Sequence, residues 1–236
     1  MGTNGFLSDD FKQLYANFSA PIAEVDCGFR CSPYNERGIP FCCDIHHAIP
    51  TAYHPEWDYL QKNTDLWKEW RSDDAKLAAG LREQTPQGQV LIACRGFQHC
   101  QREFRSLTCR AFPFFPYITR EGKFIGLAYY WQYEERCWVI NHLDVVTPQY
   151  LNQFVALYEE ILSSMPDEFE AFRSYSITMR RVFGRKHRTI SLLHRNGNCY
   201  RLSPGSGRMR KVSPGLFHKF GPYLVAETLP FPDEKV

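Results

Sequence analysis

Apolar positions recur at helical spacing most clearly over residues 148–162, where Tyr150, Leu151, Phe154, Leu157, Tyr158, Ile161 and Leu162 share one side of a helix opened by Pro148. Core packing is the simplest account of that stripe. A break at Pro166 and Asp167 precedes a second helix over residues 168–183. Near the start, Ser8 and Asp9 are placed to cap a short amphipathic helix carrying Phe11, Leu14, Tyr15 and Phe18. Residues 55–70 read as a helix presenting Trp57, Leu60, Trp67 and Trp70, and residues 73–83 as another with an acidic first turn.

Extended segments are shorter. Residues 90–93 form an apolar strand that delivers Cys94 from its end. Residues 124–133 and 137–143 read as two aromatic strands joined through Glu134, Glu135 and Arg136 into a hairpin, and residues 189–194 and 199–202 flank an Asn196-Gly197 turn as another. Residues 27–50, rich in Gly, Pro and Cys, show no period, as expected where a metal fixes the backbone. The expected fold is α+β: an irregular cysteine-rich metal-binding core with flanking helices and short antiparallel hairpins. Residues 1–146 make the cysteine-cluster domain, and residues 147–236 a helical and hairpin basic region packed on it.

With 44% hydrophobic and 15% aromatic residues in 236, the chain can bury a substantial core, which excludes a disordered polymer. No apolar run is long enough to cross a bilayer, the first ten residues lack a secretory pattern, and Phe6 stands where a myristoylated Gly2 would need Ser or Thr. A cytoplasmic location without membrane contact is the expectation.

Candidate chemistry lies in the cysteines. Eight of nine fall between Cys27 and Cys137: Cys27, Cys31, the adjacent Cys42 and Cys43, Cys94, Cys100, Cys109 and Cys137. An odd number in a long chain without an export signal favours metal ligation over disulfides. Four thiolates satisfy either a zinc ion or a four-iron cubane cluster, but the short Cys-x-x-Cys knuckles of zinc ribbons are missing. Cys27, Cys31, Cys43 and Cys109 lead the ligand set, followed by Cys42, Cys94, Cys100 and Cys137. Side chains alternate along extended backbone, so Cys42 and Cys43 can share one ion only if a turn redirects one of them. His46, His47, His99 and His142 lie close enough in sequence to make a mixed sulfur and nitrogen site an alternative. Cys199, outside this group, reads as a small apolar residue.

The Cys27 to Cys31 spacing, the Cys42-Cys43 pair, and Cys94, Cys100 and Cys109 followed by Arg110 and Pro113 resemble the YkgJ-type cysteine-cluster family, a zinc- or iron-chelating domain related to one in flagellin lysine N-methylases. The resemblance spans about residues 25–140. It departs from the family pattern in the wider spacing of the first cysteines and in residues 101–108, which contain no proline. It implies a metal-thiolate domain, more often iron-sulfur than zinc.

Charge is segregated along the chain. Residues 1–170 carry 15 Lys and Arg against 23 Asp and Glu, whereas residues 171–226 carry 12 Lys and Arg and no acid. Arg180, Arg181, Arg185 and Lys186, with Arg188, Arg208, Arg210 and Lys211, offer a basic surface to an anionic small molecule, an acidic protein or nucleic acid, with Tyr175, Phe183 and Tyr200 available for stacking. The competing reading docks this basic third on the acidic remainder of the chain. No dinucleotide fingerprint, P-loop or nucleophile elbow is present, so an enzyme here would be one acting through its metal on an anionic substrate. A zinc-stabilised structural or nucleic-acid-interaction module without catalysis is the alternative.

Overall fold

A computed structural model describes residues 6–224; Gly2 and the acidic last ten residues lie outside them. In chain order the main elements are α1 (Asp10–Asn17), α2 (Cys27–Cys31), β1 (Thr51–Tyr53), α3 (His54–Asn63), β2 (Trp67–Glu69), α4 (Ala75–Gln84), β3 (Gln89–Cys94) and α5 (Leu107–Ala111). They continue with β4 (Phe114–Ile118), β5 (Phe124–Tyr129), α6 (Trp138–Asn141), α7 (Pro148–Ser164), α8 (Pro166–Arg185), β6 (Ile190–His194), β7 (Cys199–Leu202) and β8 (Met209–Lys211). The fold is α+β. A small antiparallel sheet has the order β1-β3-β2, and a five-stranded antiparallel sheet runs β4-β5-β6-β7-β8.

The larger sheet is covered on both faces. Phe114, Leu127, Tyr129, Leu193 and Cys199 face a core shared with α1, α3 and α7, while Phe115, Tyr117, Ala128, Ile190, Leu192 and Leu202 face Met179 and Phe183 of α8. Double coverage explains why β4 is buried at every position instead of alternating. Pro113 just before it and Pro116 within it hide β4 from a strand pattern, and β4 tolerates Pro116 because it is the edge strand. The edge does not remain open. Ile118 donates its N–H to Ser176 Oγ at 3.0 Å and accepts from Arg180 Nη1 at 2.8 Å, so α8 seals the end of β4. Residues before and after position 146 thus share one sheet.

Gly126 fixes the join between β5 and β6. Its φ is +154°, and a Cβ there would lie 2.4 Å from the Leu193 carbonyl oxygen, so only glycine lets these strands approach.

Two expected elements are corrected. The helix over residues 55–70 ends at Asn63, because Thr64 Oγ1 takes the Leu66 N–H at 3.0 Å and turns the chain; Trp67 then joins β2 and Trp70 packs in a small core with Leu91. The hairpin of residues 124–133 and 137–143 does not form. β5 stops at Tyr129, and Asn141 Nδ2 donates to the Glu134 and Cys137 carbonyls at 2.8 and 2.9 Å, coiling residues 138–141 into α6. Glu134, expected in an exposed turn, is buried between Tyr129 and Arg188. By contrast α1, α4, α7, α8 and the β6–β7 hairpin form where periodicity and turn chemistry put them, with Gly197 at φ +81° in the turn, although neither Ser8 nor Asp9 caps α1 through its side chain.

Candidate metal centre

Seven of the eight clustered cysteines sit at the end of a short element or in a turn, and Cys109 sits inside a five-residue helix. Asp26 caps α2 by accepting the Gly28 N–H at 2.9 Å, which places Cys27 and Cys31 on successive turns of the same helix. Cys42 and Cys43 lie in a 3-10 turn, Cys94 ends β3, and Cys100 follows a second 3-10 turn. Cys109 lies in α5, whose cap Ser106 accepts its N–H at 3.3 Å, and Cys137 caps α6.

Four of these segments, far apart in sequence, approach one another at Cys43. A charge on its sulfur acts on Cys27, Cys31, Cys42, Cys94 and Cys109. Cys137 is coupled in the same way to Cys27 and Cys31, and Cys94 to Cys100. All nine cysteines are free thiols, and Cys199 stands apart in the apolar core as expected. Among the described residues, no group of three or more His, Cys, Asp or Glu side chains is drawn into a set that could hold a metal ion. The thiols are therefore neighbours without forming a closed coordination sphere.

Cys42 and Cys43 depart from expectation. The 3-10 turn sends both side chains the same way, with their sulfurs 3.9 Å apart. That separation is near the edge, about 3.8 Å, of a tetrahedron of sulfurs bound at about 2.3 Å. The shared S–H contact holds Cys43 below the usual thiol range and Cys42 well above it.

Five thiols of the group, Cys27, Cys31, Cys94, Cys109 and Cys137, are held protonated chiefly by burial. Cys27 is pushed up to about 12 by burial and then by Cys31 and Asp26, and Cys109 to about 12 by burial against the Ser106 hydrogen bond; Cys31, Cys94 and Cys137 are raised for the same leading reason. Arg105, not foreseen from the sequence, is the cation in this group. Its Nε donates to Cys100 Sγ at 3.1 Å, and although burial works against its charge, that bond with Cys100 and its proximity to Cys43 and Cys109 hold its pKa up. Arg102 ties the Cys100 segment to the Cys27 segment through Asp26 at 3.0 Å. Nothing in the pattern of residues 101–108 marks either arginine; their role follows from the fold.

The rings of His47 and His142 have other work. His47 packs edge-on against Phe41 and gives its carbonyl to the Tyr133 hydroxyl, while His142 stacks on Trp138 and contacts its carbonyl through Nδ1 at 2.8 Å. His46 gives only its backbone N–H to the buried Asp44; burial opposes that carboxylate, but this bond, Asn35 and Arg37 hold its pKa below the usual range. A cavity of about 1070 Å³ borders Cys94 and is also lined by His46, Thr108, Tyr133 and Glu168. Glu168 takes the Tyr53 hydroxyl at 2.9 Å and Gln89 Nε2 at 2.8 Å, and burial raises its pKa.

The predicted basic residues divide. Arg180 is buried against Tyr117 and Ile118, Arg181 and Arg185 line a second pocket on α8, and Lys186 is exposed beyond it. Part of the basic third does dock on acidic residues from earlier in the chain: Arg188 grips Glu134 at 2.6 and 2.9 Å, and Arg195 reaches Glu159 at 2.5 Å. Two of the three aromatics expected to stack with bases are otherwise engaged, since Phe183 is buried and Tyr175 packs on Phe115 and Trp131; Tyr200, half-buried on β7, packs against His194. Among the described residues no helix is long and apolar enough to cross a membrane. No protein-family profile, curated protein or solved structure matches this chain.

Proposed function

We propose that this chain is a metal-thiolate protein that holds an iron-sulfur cluster. The observation that carries this reading is the approach of five free thiols, Cys27, Cys31, Cys42, Cys94 and Cys109, to Cys43, with Cys137 beside Cys27 and Cys31 and Cys100 beside Cys94, while the ninth packs as an apolar side chain elsewhere. That supply exceeds the four ligands of a closed zinc site, and the segments delivering it carry no paired short knuckles. Cys27, Cys31, Cys43 and Cys109 remain the leading ligands. Arg105 suits such a centre, because an N–H donated to a ligand sulfur and a nearby positive charge both stabilise an anionic metal-thiolate group. When bound, the cluster would supply electron transfer or a Lewis-acidic iron to the cavity beside Cys94.

A second reading has its own support. The 3.9 Å between the Cys42 and Cys43 sulfurs suits one ion bound by both, as zinc would be. A cubane instead takes one thiolate per iron.

Anaerobic purification followed by visible spectroscopy and analysis for iron, sulfide and zinc tests both. Brown protein with iron and acid-labile sulfide in equal amounts is the expected result. Colourless protein with stoichiometric zinc would replace the first reading by the second, and protein free of both metals would end them together.

A further inference from the structure

A second pocket, of about 520 Å³, lies on the side of α8 at the sealed edge of the larger sheet. Arg173, Ile177, Arg180, Arg181, Gly184 and Arg185 form one wall, at helical spacing along α8; Arg120 comes from the β4–β5 turn, and Pro204 and Gly205 from the loop between β7 and β8. The rim is tied, since Arg120 Nη2 donates to the Pro204 carbonyl at 3.0 Å. Five guanidinium groups line this space and no carboxylate does. The nearest acids lie outside it: Glu170 pairs with Arg173 at 3.1 Å across one exposed turn of α8, and exposed Glu121 follows Arg120 in the chain.

Arg180 carries the argument further than surface charge does. It is 7% exposed, and both of its hydrogen bonds, to the Tyr117 hydroxyl at 3.1 Å and the Ile118 carbonyl at 2.8 Å, use Nη1. Its Nε and Nη2 have no hydrogen-bond partner, and no carboxylate pairs with it, among the described residues. The two unpartnered nitrogens are not sealed from solvent, so they are free to meet a ligand, and an anion bound here would relieve the repulsion among five cations at one mouth. Arginine forks match phosphoryl oxygens two at a time, and five guanidinium groups carry more positive charge than one phosphate neutralises. The volume is that of a small-molecule site, and no aromatic side chain lines it to stack a base.

From this we propose that the α8 pocket binds a small soluble anion carrying two linked phosphoryl groups, with Arg180 as the fixed floor of the site and Arg120, Arg173, Arg181 and Arg185 closing on the phosphates. The site is separate from the thiol cluster, so its test stands apart from that of the metal.

The probe is inorganic pyrophosphate, titrated calorimetrically into the full-length chain at constant ionic strength, with orthophosphate, sulfate and a single-stranded oligonucleotide as competitors. Pyrophosphate should bind at least about tenfold more tightly than orthophosphate or sulfate. Arg181→Gln with Arg185→Gln, both at exposed positions, should weaken it by about tenfold or more, while Lys186→Gln and Arg210→Gln, outside the pocket, should leave it within about twofold. Circular dichroism of the double variant confirms that its fold is intact. Equal affinity for orthophosphate, unchanged binding in the double variant, or an oligonucleotide that binds more tightly than pyrophosphate and depends on Arg210 would each overturn the proposal.

Discussion

Arg105 donates through its Nε to the Sγ of Cys100 at 3.1 Å, which brings a permanent cation close to Cys27 and Cys109, thiols that burial keeps protonated. A cluster of thiolates in a half-buried site accumulates negative charge that bulk water cannot screen. A guanidinium in hydrogen-bond contact offsets part of it and also fixes the orientation of one sulfur.

Replacing Arg105 by Leu should therefore weaken metal retention by roughly 10- to 100-fold, read as faster loss of metal to a chelator, with little change in secondary structure. Arg105→Lys should recover part of the loss, because the charge returns without the directed Nε–H. Equal chelation rates in all three proteins would show that Arg105 acts on the thiols only through packing.

Cys109 and Cys199 make a matched pair of probes, one in the cluster and one in the core. Cys109→Ala should lower the metal bound per chain and the chain's solubility together, whereas Cys199→Ala should leave metal content unchanged and cost about 1 kcal/mol in denaturant unfolding from lost packing. Metal loss in the Cys199 variant, or full metal content in the Cys109 variant, would reverse these assignments.

Most of the helices were legible because their signals are local. The stripe from Tyr150 to Ile161 and the cap at Asp74 each specify a helix without reference to the rest of the chain. The failures come from long-range contacts. The strand tendency of residues 137–143 yields to Asn141 bonding back to Glu134, itself held by Tyr129 and Arg188, a residue more than fifty positions away. Edge strand β4 was hidden by its prolines, and β8, basic and exposed, has no apolar pattern at all. At the candidate sites, residue type identified the cysteines and part of the arginine group. The participation of Arg105, Arg120 and Arg173 depends on where the chain folds them.

Gly126 gives a direct test of the sheet. Alanine at this position would press a methyl group against the Leu193 carbonyl and occupy a backbone conformation that side chains avoid. Gly126→Ala should destabilise the chain by roughly 2 kcal/mol or more, while the same change at Gly205, where nothing lies within 4 Å, should be close to neutral in thermal unfolding. Equal melting temperatures for the two variants would mean that β5 and β6 can separate at little cost.

Glu56 provides the pH test. It is fully buried and accepts three hydrogen bonds, from the Tyr15 hydroxyl at 2.7 Å, the Leu107 N–H at 2.6 Å and the Tyr53 N–H at 3.2 Å. Burial nevertheless dominates, lifting the carboxyl from 4.5 to about 7 against those bonds and Arg110. Because the folded pKa lies above the unfolded one, the folded state binds more protons between these values. The contribution to stability is complete below pH 4.5 and is lost as pH rises through about 7, by on the order of 3 kcal/mol at most. Glu56→Gln removes the titration and turns one accepting oxygen into a donor facing the Tyr53 N–H, at a cost of about 1–3 kcal/mol. The stability advantage of the wild type over this variant, measured by urea unfolding, should thus be largest near pH 5 and shrink toward pH 8. An advantage that stays level or grows with pH would mean that the three donors and Arg110 outweigh burial and that Glu56 is ionised throughout.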